Sequence, residues 1–185
     1  MQIYSLPSID YLRLRFHLKA LHDCDLPAWK GSLLRGAFGH ALRRTACTMN
    51  PGQLCENCML RSHCSYTRIF ETFITEQPPP FLKGLDTSPR PFIFEPHDHT
   101  KFYKTGDTLW FDFILIGDVV DFVPYVVFAI MQMGHGGLGV SRHQFDLTAG
   151  YCFQPEEESH DTEVDQDWLI IYDRKSRKIF LIPVS

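Results

Sequence analysis

The sequence lacks the two features that would direct a chain into or across a membrane. No window approaches the roughly 18 uncharged apolar residues that a membrane-spanning helix requires, because Asp121, Pro124 and Gln132 interrupt the longest apolar run, residues 119–133. The first eight residues contain neither the basic region nor the apolar region of a signal peptide. We therefore expect a cytoplasmic protein with no membrane partner.

The chain also lacks a positive net charge, but its charges are distributed unevenly. The formal net charge is -4, yet residues 154–167 contain seven acidic residues and no Lys or Arg. Residues 1–70, in contrast, contain nine Lys or Arg residues against four Asp or Glu. The sequence therefore predicts an acidic loop at 154–167 and leaves an anionic partner possible for the basic N-terminal part.

The two familiar glycine fingerprints of nucleotide binding are missing as well. Four glycines lie at positions 134–139, but no Gly-Lys-Ser/Thr follows them, and they follow a predicted helix rather than a strand. Glycine tolerates positive φ and lets a phosphate approach main-chain N–H groups, so Gly136, Gly137 and Gly139, with Arg142 beyond them, are candidates for anion binding. A tight helix end followed by a turn would need the same glycines.

The chain does contain the hydrophobic periodicities of a mixed α/β domain. The pattern predicts strand 9–20, helix 28–46, strand 91–95, strand 108–116, helix 122–133 and strand 144–153. This order matches the βαββαβ ferredoxin-like, RRM-type fold, an α+β antiparallel sheet with both helices on one face. We predict such a domain over residues 1–153, with an insert at 47–75, and a terminal hairpin at 168–185.

The first predicted strand alternates strictly between apolar and basic side chains. From Leu12 to Lys19 every second residue is apolar, and the residues between them are Arg, Arg, His and Lys. Such alternation predicts a half-buried strand with one apolar face and one basic face. The simplest interpretation of the basic face is that it is solvated.

The polar side of the first helix carries glycines together with cationic residues. Gly36 and Gly39 share this side with Arg35 and Arg43, and His40 lies at its edge. Each glycine costs about 1 kcal/mol relative to Ala inside a helix. Either an anionic ligand lies close to the helix backbone here, or the glycines admit another protein element and the arginines are solvated.

His40 is the best candidate for a general acid or base. It lies between Arg35 and Arg43, where a phosphodiester would be held, and it could take a proton from a ribose 2′-OH or give one to a leaving 5′-oxygen. Lys30 and the arginines could stabilise the developing negative charge. The alternative is a histidine on the helix surface or at the edge of the core.

Four of the six cysteines have the spacing of a metal site. Cys47, Cys55, Cys58 and Cys64 form a C-x7-C-x2-C-x5-C pattern, in which the C-x2-C pair places two thiolates on one tight turn. We predict a structural zinc knuckle, since such a polar loop needs metal binding to supply folding energy. An iron–sulfur cluster, free buried thiols, or replacement of one thiolate by His63 are the alternatives.

Several of these segments together resemble a known family. The segments are residues 35–44 (RGAFGHALRR), the cysteine set, residues 69–72 (IFET) and residues 133–139 (MGHGGLG). Over about residues 26–147 they resemble the CRISPR-associated repeat-RNA-processing endoribonucleases of the RAMP superfamily, in the branch with a cysteine-rich insert.

The resemblance implies an RNA-binding ferredoxin-like domain that helps to cut precursor CRISPR RNA within each repeat. Cleavage in that family needs no metal: the 2′-OH attacks the adjacent phosphate and leaves a 2′,3′-cyclic phosphate and a 5′-OH. His40 matches the family's catalytic position, and Arg35, Arg43 and Arg44 match its basic helix. The implied partners are CRISPR repeat RNA and other CRISPR-associated proteins.

Family members usually carry a second ferredoxin-like domain, and residues 168–185 would then link to it. Two other functions stay open from the sequence. One is a non-catalytic RNA-binding subunit or half-protein of a CRISPR effector complex. The other is a zinc-containing interaction domain unrelated to RNA.

Overall fold

The computed structural model describes residues 9–49, 52–74, 83–97, 99–154, 168–176 and 178–180. The described residues form a mixed α/β structure with a mostly antiparallel sheet and few helices. Nearly all of the predicted acidic loop lies outside the described residues. The division into a domain, an acidic loop and a terminal hairpin stays a prediction.

The elements follow the predicted order, with two short additional strands. The strands are β1 (Tyr11–Ala20), β2 (Cys24–Asp25), β3 (Phe92–Pro96), β4 (Phe102–Tyr103), β5 (Thr108–Ile116), β6 (Phe145–Phe153), β7 (Trp168–Asp173) and β8 (Lys178–Ile179). The helices are α1 (Gly31–Ala46) and α2 (Val123–Gly136).

The main sheet has β1 near its centre. Its six strands lie in the order β3-β5-β1-β6-β7-β8, and every neighbouring pair is antiparallel. β7 and β8 form a hairpin that extends this sheet beyond β6. The short strands β2 and β4 pair with each other outside it, a feature that the sequence pattern did not predict.

The core lies between one face of the sheet and the two helices. The alternating apolar residues of β1, Leu14, Phe16 and Leu18, are fully buried on this face. Phe38 of α1 packs on Phe113 of β5, with ring centroids 5.1 Å apart. The prediction of one buried face for β1 is therefore confirmed, since burial of apolar side chains drives the pairing of helices and sheet.

α1 begins three residues later than the sequence pattern predicts. Lys30 is its N-cap residue, and the Leu34 N–H donates to the Lys30 carbonyl at 2.8 Å. The Nζ of Lys30 donates to the carbonyl of Thr100 at 2.8 Å, so this side chain is directed away from the helix. That contact fixes the entry to the helix at Gly31.

α2 and the turn before it are apolar enough to resemble a membrane span. The stretch Gly117–Gly136 has the required length and a mean hydropathy of 1.3, so composition alone does not exclude a span as firmly as the sequence suggested. Half of the 18-residue window is buried inside the structure, and α2 packs on β6 and α1. This burial is typical of a core helix.

The helix-free face of the sheet is held together by a buried carboxylate. Asp112 of β5 is fully buried, and its oxygens accept from Arg13 at 2.7 Å and from Arg15 at 2.7 Å. The Nε2 of His97 lies 3.1 Å from the same carboxylate, and its ring stacks on Trp110. Two residues of the basic face of β1, Arg13 and Arg15, are therefore paired, whereas Lys19 is exposed.

This network determines the charge state of the carboxyl. Burial by itself would raise the pKa of Asp112, but the hydrogen bond and charge of Arg15, with His97 and Arg13, hold its pKa below the usual 3.8. A carboxyl whose pKa is lower in the folded state stabilises the fold above its unfolded pKa. It loses that contribution as the pH falls through the folded value.

We expect Asp112→Asn to lower the free energy of unfolding by about 1.5–3 kcal/mol at neutral pH, because two partly exposed guanidinium groups lose the charged acceptor of their hydrogen bonds. Glu95→Gln is the matched control: Glu95 is more exposed, lies 3.5 Å from Arg13, and should contribute less than about 1 kcal/mol. Urea unfolding from pH 7 to pH 3 measures both effects. A wild-type stability that falls no more steeply than that of Asp112→Asn below about pH 4 would contradict this assignment.

Candidate functional site

Three flanks of α1 have different environments, and they separate residues that the sequence analysis placed together on one polar side. The first flank faces the sheet and contains the buried residues Leu34, Phe38, Ala41 and Leu42. The second contacts the cysteine-rich insert, and the third lines an open cleft. The polar side predicted from the sequence is divided between the second and third flanks.

Gly39 belongs to the flank that contacts the insert. It is buried, and a Cβ built on it would lie 2.3 Å from the ring of Phe70, which follows the cysteines. The Phe70 ring is itself held by stacking on Tyr66 at 5.7 Å and on Phe92 at 6.0 Å, and by the guanidinium of Arg90 at 4.5 Å. At this position the glycine admits a protein element, which is the alternative that the sequence left open, and Gly39 does not line the cleft.

Lys30 and Arg35 also lie away from the cleft. Lys30 is fully buried, with its Nζ 5.5 Å from the ring centroid of Tyr103, and it does not line the cleft. The carbonyl of Thr100 compensates for burying its ammonium group. Arg35 is exposed on the side of Phe92, 5.8 Å from that ring.

The third flank of α1 lines a cleft of about 850 Å³ that the end of α2 and the following loop close on the other side. Most of the predicted site residues lie together on its walls. They are Gly36, His40, Arg43, Arg44, Gly136, Gly137, Gly139 and Arg142. Residues separated by more than 90 positions in the sequence therefore share one cavity.

The glycine loop is a tight turn that directs Arg142 toward the cleft. Gly137 has a φ of 85°, and a Cβ on it would lie 2.3 Å from the Arg142 carbonyl oxygen. Gly139 has a φ of 77°, and its carbonyl accepts from the Arg142 N–H at 3.2 Å. Leu138 and His143 exchange backbone hydrogen bonds across the turn. The turn itself therefore requires Gly137 and favours Gly139.

Arg43 and Arg44, in the last turn of α1, line the cleft. The Nη2 of Arg43 donates to the Gln53 carbonyl at 2.8 Å, so this side chain is anchored to the insert. Arg44 is exposed and lies close to the end of α2, where a Cβ on Gly136 would be 2.8 Å from its Nη2. Gly136 thus gives room for Arg44, and because Arg142 also lines the cleft, the cavity carries three guanidinium groups.

On the wall that α1 contributes to the cleft, His40 lies between Gly36 and Arg43. Its side chain is exposed, one turn after Gly36 and one turn before Arg43 and Arg44. Within the part of the chain that the structure describes, its ring makes no hydrogen bond or ion pair. The imidazole is therefore free to exchange a proton with a molecule in the cleft.

The four predicted metal ligands lie in one region without forming a closed set. Cys47 directly follows α1, and all four thiols are half-buried and free. Burial raises the pKa of the Cys55 thiol, and Cys47 and Cys64 are close enough to raise it further. Among the described residues, no three of these sulfur atoms lie within 4.8 Å of one another.

A different set of potential ligands does meet this distance criterion. Glu95, His97 and Asp112 place one ligand atom each within 4.8 Å of the others on the helix-free face. However, Arg13 and Arg15 already occupy both oxygens of Asp112. A cation would have to compete with two guanidinium groups there, so this cluster is better explained as an ion-pair network.

The sequence analysis missed the apolar part of the cleft. None of Leu33, Ala37, Met49 and Met133 was predicted as a site residue, yet all four line the cleft. No periodicity in the sequence identifies them, because their position depends on how closely α2 approaches α1.

The fold and cleft define an antiparallel α/β domain with a cationic cavity on its helical side. A family model described as the AF_1859_N N-terminal domain matches residues 6–179. The chain therefore belongs to this family of N-terminal domains. No curated protein matches the sequence.

The two glycines on the polar side of α1 should respond oppositely to the same substitution. We expect Gly39→Ala to lower the free energy of unfolding by about 1–2 kcal/mol, because its Cβ would overlap the Phe70 ring. Gly36→Ala should raise it by up to about 1 kcal/mol, since nothing lies within 4 Å of the new Cβ. Thermal and urea unfolding measure both changes. A stabilising Gly39→Ala would contradict the assigned contact.

Proposed function

We propose that this domain is ferredoxin-like and binds RNA in the cleft beside α1. Support for the fold comes from the order β1-α1-β3-β5-α2-β6 and from the sheet order β3-β5-β1-β6, which is the arrangement expected of βαββαβ domains. Cytoplasmic CRISPR repeat RNA is the proposed ligand, because the segments that resemble the CRISPR-associated endoribonucleases contribute both walls of the cleft.

The observation that carries the proposal is the grouping of one imidazole with three guanidinium groups. His40 lines the same cavity as Arg43, Arg44 and Arg142. Arginine is suited to phosphate because its planar fork donates two parallel hydrogen bonds and stays charged. A phosphodiester held by these arginines would lie within reach of His40.

The proposed reaction is cleavage of precursor CRISPR RNA within the repeat, with the arrangement expected of metal-independent ribonucleases. The ribose 2′-oxygen forms a bond to the adjacent phosphorus, and the bond from phosphorus to the 5′-oxygen breaks. His40 either takes the 2′-OH proton or gives a proton to the leaving 5′-oxygen. The arginines stabilise the extra negative charge on the phosphorane, and the products are a 2′,3′-cyclic phosphate and a 5′-OH.

A second candidate is a non-catalytic RNA-binding subunit or half-protein of a CRISPR effector complex, which would act with other CRISPR-associated proteins. One observation favours it: among the described residues that line the cleft, His40 is the one side chain with an imidazole or carboxyl group. Cleavage of this kind is fastest when one group removes a proton and another donates one. Binding without cleavage needs the arginines alone.

Binding should be strongly salt-dependent if the arginines contact phosphates. For each phosphate neutralised on a single strand, the logarithm of affinity falls with the logarithm of salt with a slope of about -0.7. We expect Arg142→Gln to weaken binding of repeat RNA and to make this slope shallower by roughly that amount. Arg35→Gln, on the other flank of α1, is the matched control and should behave as wild type. Fluorescence anisotropy across a salt series measures both, and equal losses for the two variants would contradict the proposed interface.

Catalysis by His40 makes a separate prediction. With EDTA present, we expect the full chain to cut repeat RNA to products with a 2′,3′-cyclic phosphate, and His40→Ala to slow cleavage by about a hundredfold or more. RNA affinity should change much less, since the phosphate contacts are assigned to Arg43, Arg44 and Arg142. His143→Ala controls for loss of a nearby imidazole, because His143 does not line the cleft. Equal cleavage by wild type and His40→Ala would exclude the assigned role.

We also propose that the insert binds a structural zinc ion through Cys47, Cys55, Cys58 and Cys64. The four thiols are of the type and number that zinc prefers, and all lie between the end of α1 and the turn at Thr67–Glu71. An iron–sulfur cluster is the less suitable occupant. The ion would order the insert and take no part in RNA cleavage.

The zinc proposal is tested by metal content. We expect about one zinc per chain and no iron, and we expect Cys58→Ser to lower both the zinc content and the melting temperature. Cys152→Ser is the control for zinc content, because Cys152 is buried in β6 and lies outside the insert. Full zinc occupancy in Cys58→Ser, measured by elemental analysis, would contradict the assigned ligand set.

A further inference from the structure

The two ends of the cleft have different chemistry. Along α1, Arg43 and Arg44 lie in the last turn, whereas Leu33 and Ala37 lie in the first two turns; Met133 and Arg142 line the cleft from the end of α2 and from the loop after it. Because an α-helix rises about 1.5 Å per residue, the apolar end at Gly36 lies about 10 Å along α1 from Arg43. This spacing is comparable to the reach of one nucleotide from its base to its phosphate.

Gly36 is the helical glycine that packing does not explain. A Cβ on Gly31, Gly39, Gly134 or Gly136 would lie 2.8 Å or less from a neighbouring atom. A Cβ on Gly36 would meet nothing within 4 Å, and Gly36 lines the cleft. Glycine at such a position costs about 1 kcal/mol relative to Ala with no return in packing. The open space beside Gly36 therefore calls for an explanation other than packing within the protein.

We propose that the apolar end of the cleft is a slot for one unpaired nucleobase, a proposal that rests on the proposed RNA-binding function. A base has flat apolar faces, which suit Leu33, Ala37 and Met133, and it would lie over the helix backbone where Gly36 has no side chain. Its phosphate would then reach the arginines at the other end. Bases become available in this way in single-stranded RNA and not within a duplex, so the substrate class is unpaired RNA.

This proposal differs from simple attraction of phosphates because it requires the base itself. Charge contacts at Arg43, Arg44 and Arg142 would hold any RNA backbone equally. Contact with an apolar surface adds affinity only where a base is present, and it tolerates different bases because each has a π-face. The apolar slot and the basic end therefore make separable contributions.

The test compares two oligonucleotides and three glycine variants. The probes are a short unstructured oligoribonucleotide and the same ribose-phosphate backbone without bases, each labelled for anisotropy at fixed salt. We expect wild type to bind the base-bearing probe about tenfold more tightly than the abasic one. Gly36→Leu should fill the slot, bind both probes equally at the abasic level, and keep or raise the melting temperature. Gly36→Ala should show an intermediate difference between the probes.

Gly52→Leu is the matched control, because a Cβ on Gly52 also meets nothing within 4 Å and Gly52 lies outside the cleft. It should retain the wild-type difference between the probes. A wild type that binds both probes equally, or a Gly36→Leu that weakens both by the same factor, would overturn the slot while leaving the arginine contacts in place. If wild type binds neither probe, both the slot and RNA binding by this cleft are excluded.

Discussion

The contact of Phe70 with Gly39 determines how α1 can be used. Each face of an α-helix can pack against only one neighbour. In α1 the sheet covers one face, and the Phe70 ring covers another at Gly39. Only a residue without a side chain allows a ring this close to the helix backbone. What remains is the flank that carries Gly36, His40, Arg43 and Arg44. The flank with Gly36 and His40 thus stays open, because Phe70 packs on the flank with Gly39 instead.

Two glycines of α2 also allow close packing, one against the sheet and one beside α1. Gly134 of α2 lies against the backbone of β6, where a Cβ would be 2.5 Å from the Phe145 carbonyl oxygen. Gly136, two residues further along the chain, lies beside Arg44. α2 therefore sits low on the sheet and close to α1. This approach brings the glycine turn opposite His40 and converts a helix flank into the wall of a cavity.

The opposite face of the sheet depends on charge rather than on shape. A flat face without helices has no apolar layer to cover it, and here a single buried carboxylate holds Arg13 and Arg15 across β1 and β5. The guanidinium of Arg15 also lies between the rings of Trp110 and Trp168, at 4.7 Å and 4.2 Å. These contacts extend from β5 to β7 and hold the strands that support the cleft from behind.

Periodicity predicted the elements well because it reports which side of each one is apolar. The strict alternation in β1 and the periodicities of the other segments were sufficient to predict the order of the strands in the main sheet and of the two helices that pack on it. Pairs of short strands such as Cys24–Asp25 with Phe102–Tyr103 leave too brief a pattern to detect. The boundary at Lys30 depended on a carbonyl 70 residues away, which no local pattern encodes.

The candidate residues of the cleft could be selected from the sequence by their type. Which of them share the cleft could not, because that depends on packing. Arginines, a histidine and turn glycines are visible in a sequence, and eight of them lie in one cleft. Gly36 and Gly39 look identical in the sequence, however, since both are helix glycines beside arginines. They differ only in what lies opposite, and the partner of Gly39 comes from a segment 31 positions away.

Arg43 has a consequence that reaches beyond the cleft. Its guanidinium lines the cavity, donates to the Gln53 carbonyl and lies 5.8 Å from the Tyr66 ring, while Cys47, one turn further on, belongs to both the cavity wall and the cysteine set. Two ligands that share such groups are thermodynamically linked, and each changes the affinity of the other by the same factor. Removal of the proposed zinc ion would therefore change the affinity of the cleft for the proposed RNA, and RNA binding would change the affinity for zinc by the same factor.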